Sequence, residues 1–85
     1  MKIRLRYFAR IREVLGVSEE CISVPESVRT VGDVRQYLME RSDVWRYVLQ
    51  EKNGLRMACQ LKMADSHTEL TEGCEVAFFP PVTGG

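Results

Sequence analysis

Residues 2–24 read KIRLRYFARIREVLGVSEECISV, and their hydrophobic period changes twice. From Lys2 to Phe8 apolar and basic residues alternate, with Ile3, Leu5 and Tyr7 on one side and Lys2, Arg4 and Arg6 on the other. That period of two marks a half-buried strand. Residues 9–15 then place Ala9, Ile11, Val14 and Leu15 at near-helical spacing and stop at Gly16, whose missing Cβ suits a left-handed helix end. The run from Cys21 to Val24 is short, partly β-branched and closed by Pro25, which predicts a second strand paired with the first in a meander or hairpin-like arrangement.

Thr30 followed by Asp33 forms a helix start, and Val31, Val34, Leu38 and Arg41 then share one face, so the main helix is expected over about 31–41. Ser42 or Asp43 opens a second short helical piece with Val44, Trp45, Val48 and Leu49 as its apolar edge, and Lys52, Asn53 and Gly54 end it in a turn. Residues 55–63 suit one or two short strands, and ADSHTELTEG at 64–73 is polar and turn-forming. The last strand is CEVAFF at 74–79, where alternation sends Val76 and Phe78 to the core and Ala77 and Phe79 outward. Strand, strand, helix, strands is an α+β order that fits one mixed sheet packed on one main helix, the layout of a ubiquitin-like β-grasp fold. Periodicity alone also allows a ferredoxin-like arrangement.

The 85 residues, 45% apolar and 28% charged, match one small globular domain with no internal repeat or linker. A chain this short buries roughly 60–65% of its unfolded surface, which leaves little room for an enclosed substrate cavity and disfavours an enzyme acting on its own. Twelve Lys and Arg balance twelve Asp and Glu, so nucleic acid and membrane are not expected partners. The charges are uneven: Lys2, Arg4, Arg6, Arg10 and Arg12 crowd the start, while Asp65, Glu69, Glu72 and Glu75 crowd a later stretch. On different faces these would make the domain dipolar.

Catalytic signals are sparse. His67 is the only histidine and lies in a polar loop, so no metal site is expected. Cys21, Cys59 and Cys74 form no C-x-x-C pair and read as reduced, packing thiols of a cytoplasmic protein, and Glu72 and Glu75 discourage a thiolate at Cys74. Glu19 and Glu20 have no evident pocket between them. No apolar run approaches the ~20 residues that span a bilayer.

The informative feature is FFPPVTGG at 78–85. Pro80 and Pro81 cannot donate ladder hydrogen bonds, so they end the strand and project the chain in a semi-rigid extended form that Val82 and Thr83 continue. Gly84 and Gly85 give a tip without side chains, able to enter a narrow tunnel and present a terminal carboxylate closely. The expected division is a β-grasp domain over 1–79 and an extended, flexible tail over 80–85.

EVAFFPPVTGG at 75–85 closely resembles the C-terminus of the molybdopterin synthase small-subunit family, ubiquitin-like sulfur carriers. YFARIREVLG at 7–16 resembles that family's first strand and helix, and TEGCEVAFFPPVTGG at 71–85 its final turn, strand and tail, so the resemblance covers essentially the whole chain. It implies a cytoplasmic protein of molybdenum cofactor biosynthesis whose reacting group is the Gly85 carboxylate. A ubiquitin-activating-type adenylyltransferase would adenylate it with ATP and Mg, and a sulfur donor would convert it to a thiocarboxylate. The large synthase subunit would then accept the tail, Pro80 to Gly84 leading Gly85 in, and the sulfur would build the dithiolene on cyclic pyranopterin monophosphate. The resemblance further implies no cofactor held by this chain and an assembly of two small with two large subunits.

By the same resemblance Phe8, Met63 and Phe79 would dock the partners through the sheet face, and Arg12 matches a basic contact position. Gln60 departs from the Asn common in the family, and since Asn tolerates left-handed backbone better, a different local turn is expected. Other readings remain: a sulfur carrier for thiamin or tRNA thiolation, a ubiquitin-like modifier joined to lysines through Gly85, or a binding domain whose tail is merely frayed.

Overall fold

In the computed structural model, which describes residues 1–81, the alternating start of the chain is strand β1 at Lys2–Tyr7. Helix α1 follows at Ala9–Leu15 and ends on Gly16 at φ 73°, the left-handed stop expected there. Strand β2 runs Glu19–Ser23, α2 Val31–Met39 and α3 Asp43–Val48, and a single 3₁₀ turn spans Glu51–Asn53. Three strands complete the order: β3 at Arg56–Cys59, β4 at Lys62–Ala64 and β5 at Glu75–Phe79.

The five strands form one sheet in the order β2-β1-β5-β3-β4. Only β1 and β5 run parallel, with Leu5 opposite Val76 and Tyr7 opposite Phe78. β2 lies antiparallel beside β1, with Ile3 opposite Ile22. A split βαβ, ferredoxin-like chain would instead carry a crossover between its first two strands. The mixed sheet packed on α2 is the ubiquitin-like β-grasp architecture.

The sheet's inner face supplies Ile3, Leu5, Tyr7, Met57, Val76 and Phe78, which cluster with Val31, Val34 and Leu38 of α2 and with Leu49. Each large apolar side chain buried this way stabilises the fold by about 1.5–3 kcal/mol. The helix is aimed by its start: the Thr30 hydroxyl accepts from the Asp33 amide, and the Asp33 carboxylate accepts from the amides of Arg29 and Thr30. Those amides hold the Asp33 carboxyl below its ordinary range.

Several elements depart from the sequence expectations. β2 begins at Glu19, before the apolar run, because Glu20 lies opposite Leu5 at the sheet edge and accepts the Tyr7 hydroxyl at 2.9 Å. α2 stops at Met39, which frees Arg41 to hold Glu20 through two hydrogen bonds of 2.8 and 2.9 Å and to lie 4.5 Å over the Trp45 ring. Trp45 in turn meets the Tyr7 ring edge-on, with centroids 5.5 Å apart. Val44 is exposed, so the apolar edge of α3 is narrower than its sequence implied.

The charge asymmetry is also smaller than expected. Lys2, Arg4 and Arg6 lie on β1 and Glu75 on the neighbouring β5, so Glu75 approaches Arg4 at 4.0 Å, and the Glu72 carboxylate accepts the Lys2 backbone amide, while Arg10 and Arg12 stand on α1 and Asp65 and Glu69 in the loop before β5. Parallel pairing of β1 with β5 thus brings Arg4 and Glu75 together.

Candidate functional site

The strand register builds an outer sheet face. Ladder partners share a face, so Arg6, Ala77, Ala58 and Met63 form one row across β1, β5, β3 and β4. The adjoining row pairs Phe79 with Arg56. Phe8 follows Tyr7 and faces the other way, its amide donating to the Phe78 carbonyl, and the Arg6 guanidinium lies 5.1 Å over its ring. Phe8, Phe79 and Met63 therefore share one side of the sheet.

The exposures grade across this side. Phe8 and Phe79 are half-buried, whereas Met63 on edge strand β4 is 67% exposed. Ala77 points outward as alternation requires, yet it is only 9% exposed. It is a methyl on a central strand, between Arg6 and Ala58. The result is an apolar floor of small side chains with larger apolar groups around it and Arg4, Arg6 and Arg56 among them, suited to a partner with complementary apolar and acidic groups. Arg12 stands elsewhere, exposed on α1, and makes no side-chain hydrogen bond or ion pair among the described residues.

Sequence reasoning missed Leu61, the most exposed large apolar side chain among the described residues at 88%. It sits with Gln60 in the two-residue connection between β3 and β4, at φ 67° and 53° respectively. Positive φ at both residues makes a tight hairpin turn. Gln60 itself takes the left-handed conformation that Asn tolerates better. Its amide donates to the Glu75 carbonyl and its side-chain oxygen accepts the Glu75 amide at 2.8 Å, which pins the turn to the start of β5.

The other end of β5 leads to the root of the tail. Pro80 lines a cleft of about 240 Å³ with Ile11 and Val14 of α1, Tyr47 and Val48 of α3, and Leu55. Pro81 lies against Gly54. The expectations for Val82, Thr83, Gly84 and Gly85, including the flexible Gly-Gly tip, fall outside the described residues.

The remaining candidates take structural roles. Cys74 is buried, and burial together with the neighbouring Cys74 raises the Cys59 thiol above its ordinary pKa, which disfavours the thiolate. Cys21 is exposed on β2. The amide of exposed His67 donates to Asp65 in the loop. Among the described residues no group of three His, Cys, Asp or Glu could hold a metal ion, and no helix is long and apolar enough to cross a membrane.

A mixed β-grasp sheet with one face sealed by helices, the other lined with apolar groups, and β5 running on into Pro80 and Pro81 defines the class: a ubiquitin-like protein. The family follows from the sequence pattern, since that of the ThiS family matches residues 5–85, and the chain belongs to that family. It is 39% identical over 83 residues to the molybdopterin synthase sulfur carrier subunit of Escherichia coli (strain K12), covering 98% of this chain and 99% of that protein. It is 35% identical over 96 residues to small archaeal modifier protein 3 of Haloferax volcanii, with both chains fully covered.

Among solved structures, the putative molybdopterin converting factor subunit 1 of Pyrococcus furiosus superposes with a TM-score of 0.78 at 30% identity, over 96% of this chain and 99% of that one. The fold also matches a chain in the complex of subunits 1 and 2 of the molybdopterin-converting factor of Helicobacter pylori, with a TM-score of 0.66 at 25% identity and full coverage of both chains.

Proposed function

We propose that this chain is the sulfur carrier subunit of a molybdopterin synthase and that it carries sulfur on the carboxylate of Gly85. The observation that supports this most is the 39% identity to such a carrier over nearly the full length of both chains. The geometry is compatible: β5 runs through the middle of the candidate docking face and continues directly into Pro80 and Pro81. A partner bound to that face is close to the root of the tail.

A carboxylate is a poor electrophile, because attack on it must expel an oxide. Transfer of AMP from ATP, with release of pyrophosphate, turns Gly85 into a mixed anhydride with a good leaving group. An activating enzyme of the ubiquitin-activating type holds the ATP and Mg for this step. Sulfur from a donor then displaces AMP, and the product is the Gly85 thiocarboxylate. In the large synthase subunit that sulfur attacks a carbon of cyclic pyranopterin monophosphate, water then hydrolyses the thioester so formed, leaving the sulfur on the pterin, and the freed Gly85 carboxylate returns for another round. Two sulfurs make one dithiolene, so the carrier cycles. This chain contributes the sulfur and the docking surface, with Phe8, Phe79 and Met63 as its apolar contacts and Arg12 as a basic one, and the partner contributes the substrate pocket.

The test is to add one residue after Gly85. The carboxylate then sits one residue beyond the nucleotide, and ATP–pyrophosphate exchange by the activating enzyme is expected to vanish. Undiminished exchange would reject the assignment of Gly85.

The 35% identity to a small archaeal modifier favours a second reading, in which the same adenylate leads to an isopeptide bond with a target lysine. The products separate the two: a thiocarboxylate on the free chain, or a ladder of conjugates on a gel. A carrier for thiamin or tRNA thiolation is the nearest alternative and ranks below the synthase reading, because the VTGG end behind two prolines resembles the synthase subunits.

A further inference from the structure

Among the described residues three glycines have positive φ: Gly16 at 73°, Gly54 at 79° and Gly73 at 77°. All three sit where an L side chain is strained. They differ in what a Cβ would meet. At Gly16 and Gly73 nothing lies within 4 Å, whereas at Gly54 the Pro81 ring is in the way, with Cγ at 3.0 Å and Cδ at 3.4 Å. Turn geometry accounts for Gly16 and Gly73. For Gly54 there is a second demand, the close approach of the tail root.

The seat is held on both sides. The Gly54 amide donates to the Glu51 carbonyl at 2.9 Å, and its own carbonyl accepts from Arg56 Nη1 at 3.3 Å. The Asn53 side chain donates to the Tyr47 carbonyl at 2.8 Å. Its neighbours in the chain, Asn53 and Leu55, line the cleft that Pro80 also lines. Pro80 and Pro81 therefore lie between a cleft and a fixed turn, and each proline has its φ held near −65°.

We infer that Gly54 is a positioning residue for the root of the C-terminal tail, its bare backbone being the surface against which Pro81 is seated. The inference rests on the carrier reading for its consequence. A Cβ at Gly54 would displace Pro81, and with it the point at which the tail leaves the domain. Misplacing a reacting group by about 1 Å lowers a rate by as much as ~100-fold. Docking through the sheet face is left untouched.

The experiment compares Gly54→Ala with Gly73→Ala in the full chain, since both bear the same left-handed strain and only the first reaches the tail. ATP–pyrophosphate exchange with the activating enzyme is measured against carrier concentration, in the wild-type and Pro81→Ala backgrounds. Gly54→Ala is expected to lower kcat roughly tenfold with KM changed less than about threefold, while Gly73→Ala matches the wild type. In the Pro81→Ala background, where the obstructing ring atoms are gone, the same Gly54 substitution is expected to lower kcat less than about twofold. Equal effects of Gly54→Ala and Gly73→Ala, or a tenfold loss that persists without the proline ring, would overturn the inference.

Absence of exchange with wild-type protein would instead strike at the carrier reading. Amide chemical shifts then decide the positioning role by themselves. Shifts at Phe79 and Val82 that move in Gly54→Ala and stay in Gly73→Ala support it, and shifts unmoved in both reject it.

Discussion

The two faces of the sheet are built from the same strands and put to opposite uses. On the inner face Tyr7, Leu5, Val76 and Phe78 are sealed against α2, and none is more than 1% exposed. On the outer face Phe8, Phe79 and Met63 occupy the alternate positions of the same strands or their ends, and all three retain contact with solvent. Apolar groups on the inner face stabilise the fold by leaving water. Those on the outer face contribute little to folding and are available to leave water when a partner binds. Neighbouring phenylalanines, Phe78 and Phe79, thus fall on opposite sides of that division.

That pair offers the sharpest way to break the comparison. Phe78→Ala empties a fully buried site beside the Tyr7 ring, stacked with centroids 6.1 Å apart, and is expected to destabilise the domain by about 3–5 kcal/mol in denaturant unfolding. Phe79→Ala is expected to leave the unfolding midpoint nearly in place while weakening the proposed complex with a large synthase subunit by about 2 kcal/mol, read by calorimetric titration. Equal losses of stability from the two substitutions would erase the distinction between the faces.

A smaller effect probes the edge where the inner face meets water. Glu20 accepts the Tyr7 hydroxyl and both Arg41 contacts, and the Arg41 hydrogen bonds hold its carboxyl below the ordinary range against the opposing effect of burial. Burial, with the Glu20 contact, raises the Tyr7 phenol, which therefore stays a donor. A carboxyl depressed in the folded state adds stability above its unfolded pKa of about 4.3 and loses it as pH falls through the lower folded value. Because the pair is partly solvated, Glu20→Gln is expected to cost only about 1 kcal/mol at pH 7 and to flatten the acid limb of stability against pH. An unaltered acid limb would show that other carboxylates set it.

The smallest expected effects lie on the outer face. Met63→Ala and Cys21→Ser, both exposed, should change stability by less than about 0.5 kcal/mol. Met63→Ala should still weaken partner binding measurably by titration. Cys21→Ser should leave sulfur transfer intact if the sulfur resides on Gly85 as proposed; lost transfer in that variant would implicate the thiol.

Features set by neighbours in the chain could be read from the sequence, and features set by distant contacts could not. The alternation of β1, the left-handed stop at Gly16 and the reciprocal Thr30–Asp33 cap are local, and each stands where its residues indicated. Glu19 and Glu20 gave no strand signal, because their place in β2 follows from Tyr7 and from Arg41, 21 positions beyond Glu20. The candidate docking residues were legible as outward positions only for Phe79. Their shared face needed the register of four strands. Gly54 read as an ordinary turn glycine, since nothing nearby in sequence reveals that Pro81 rests against it.

The most direct test of the carrier account is the intact mass of this chain after incubation with its activating enzyme, ATP and a sulfur source. The expected result is a product in which one terminal oxygen has been replaced by sulfur, formed only when Gly85 ends the chain. An unchanged mass, with the activating enzyme shown to be active on another carrier, would contradict the account.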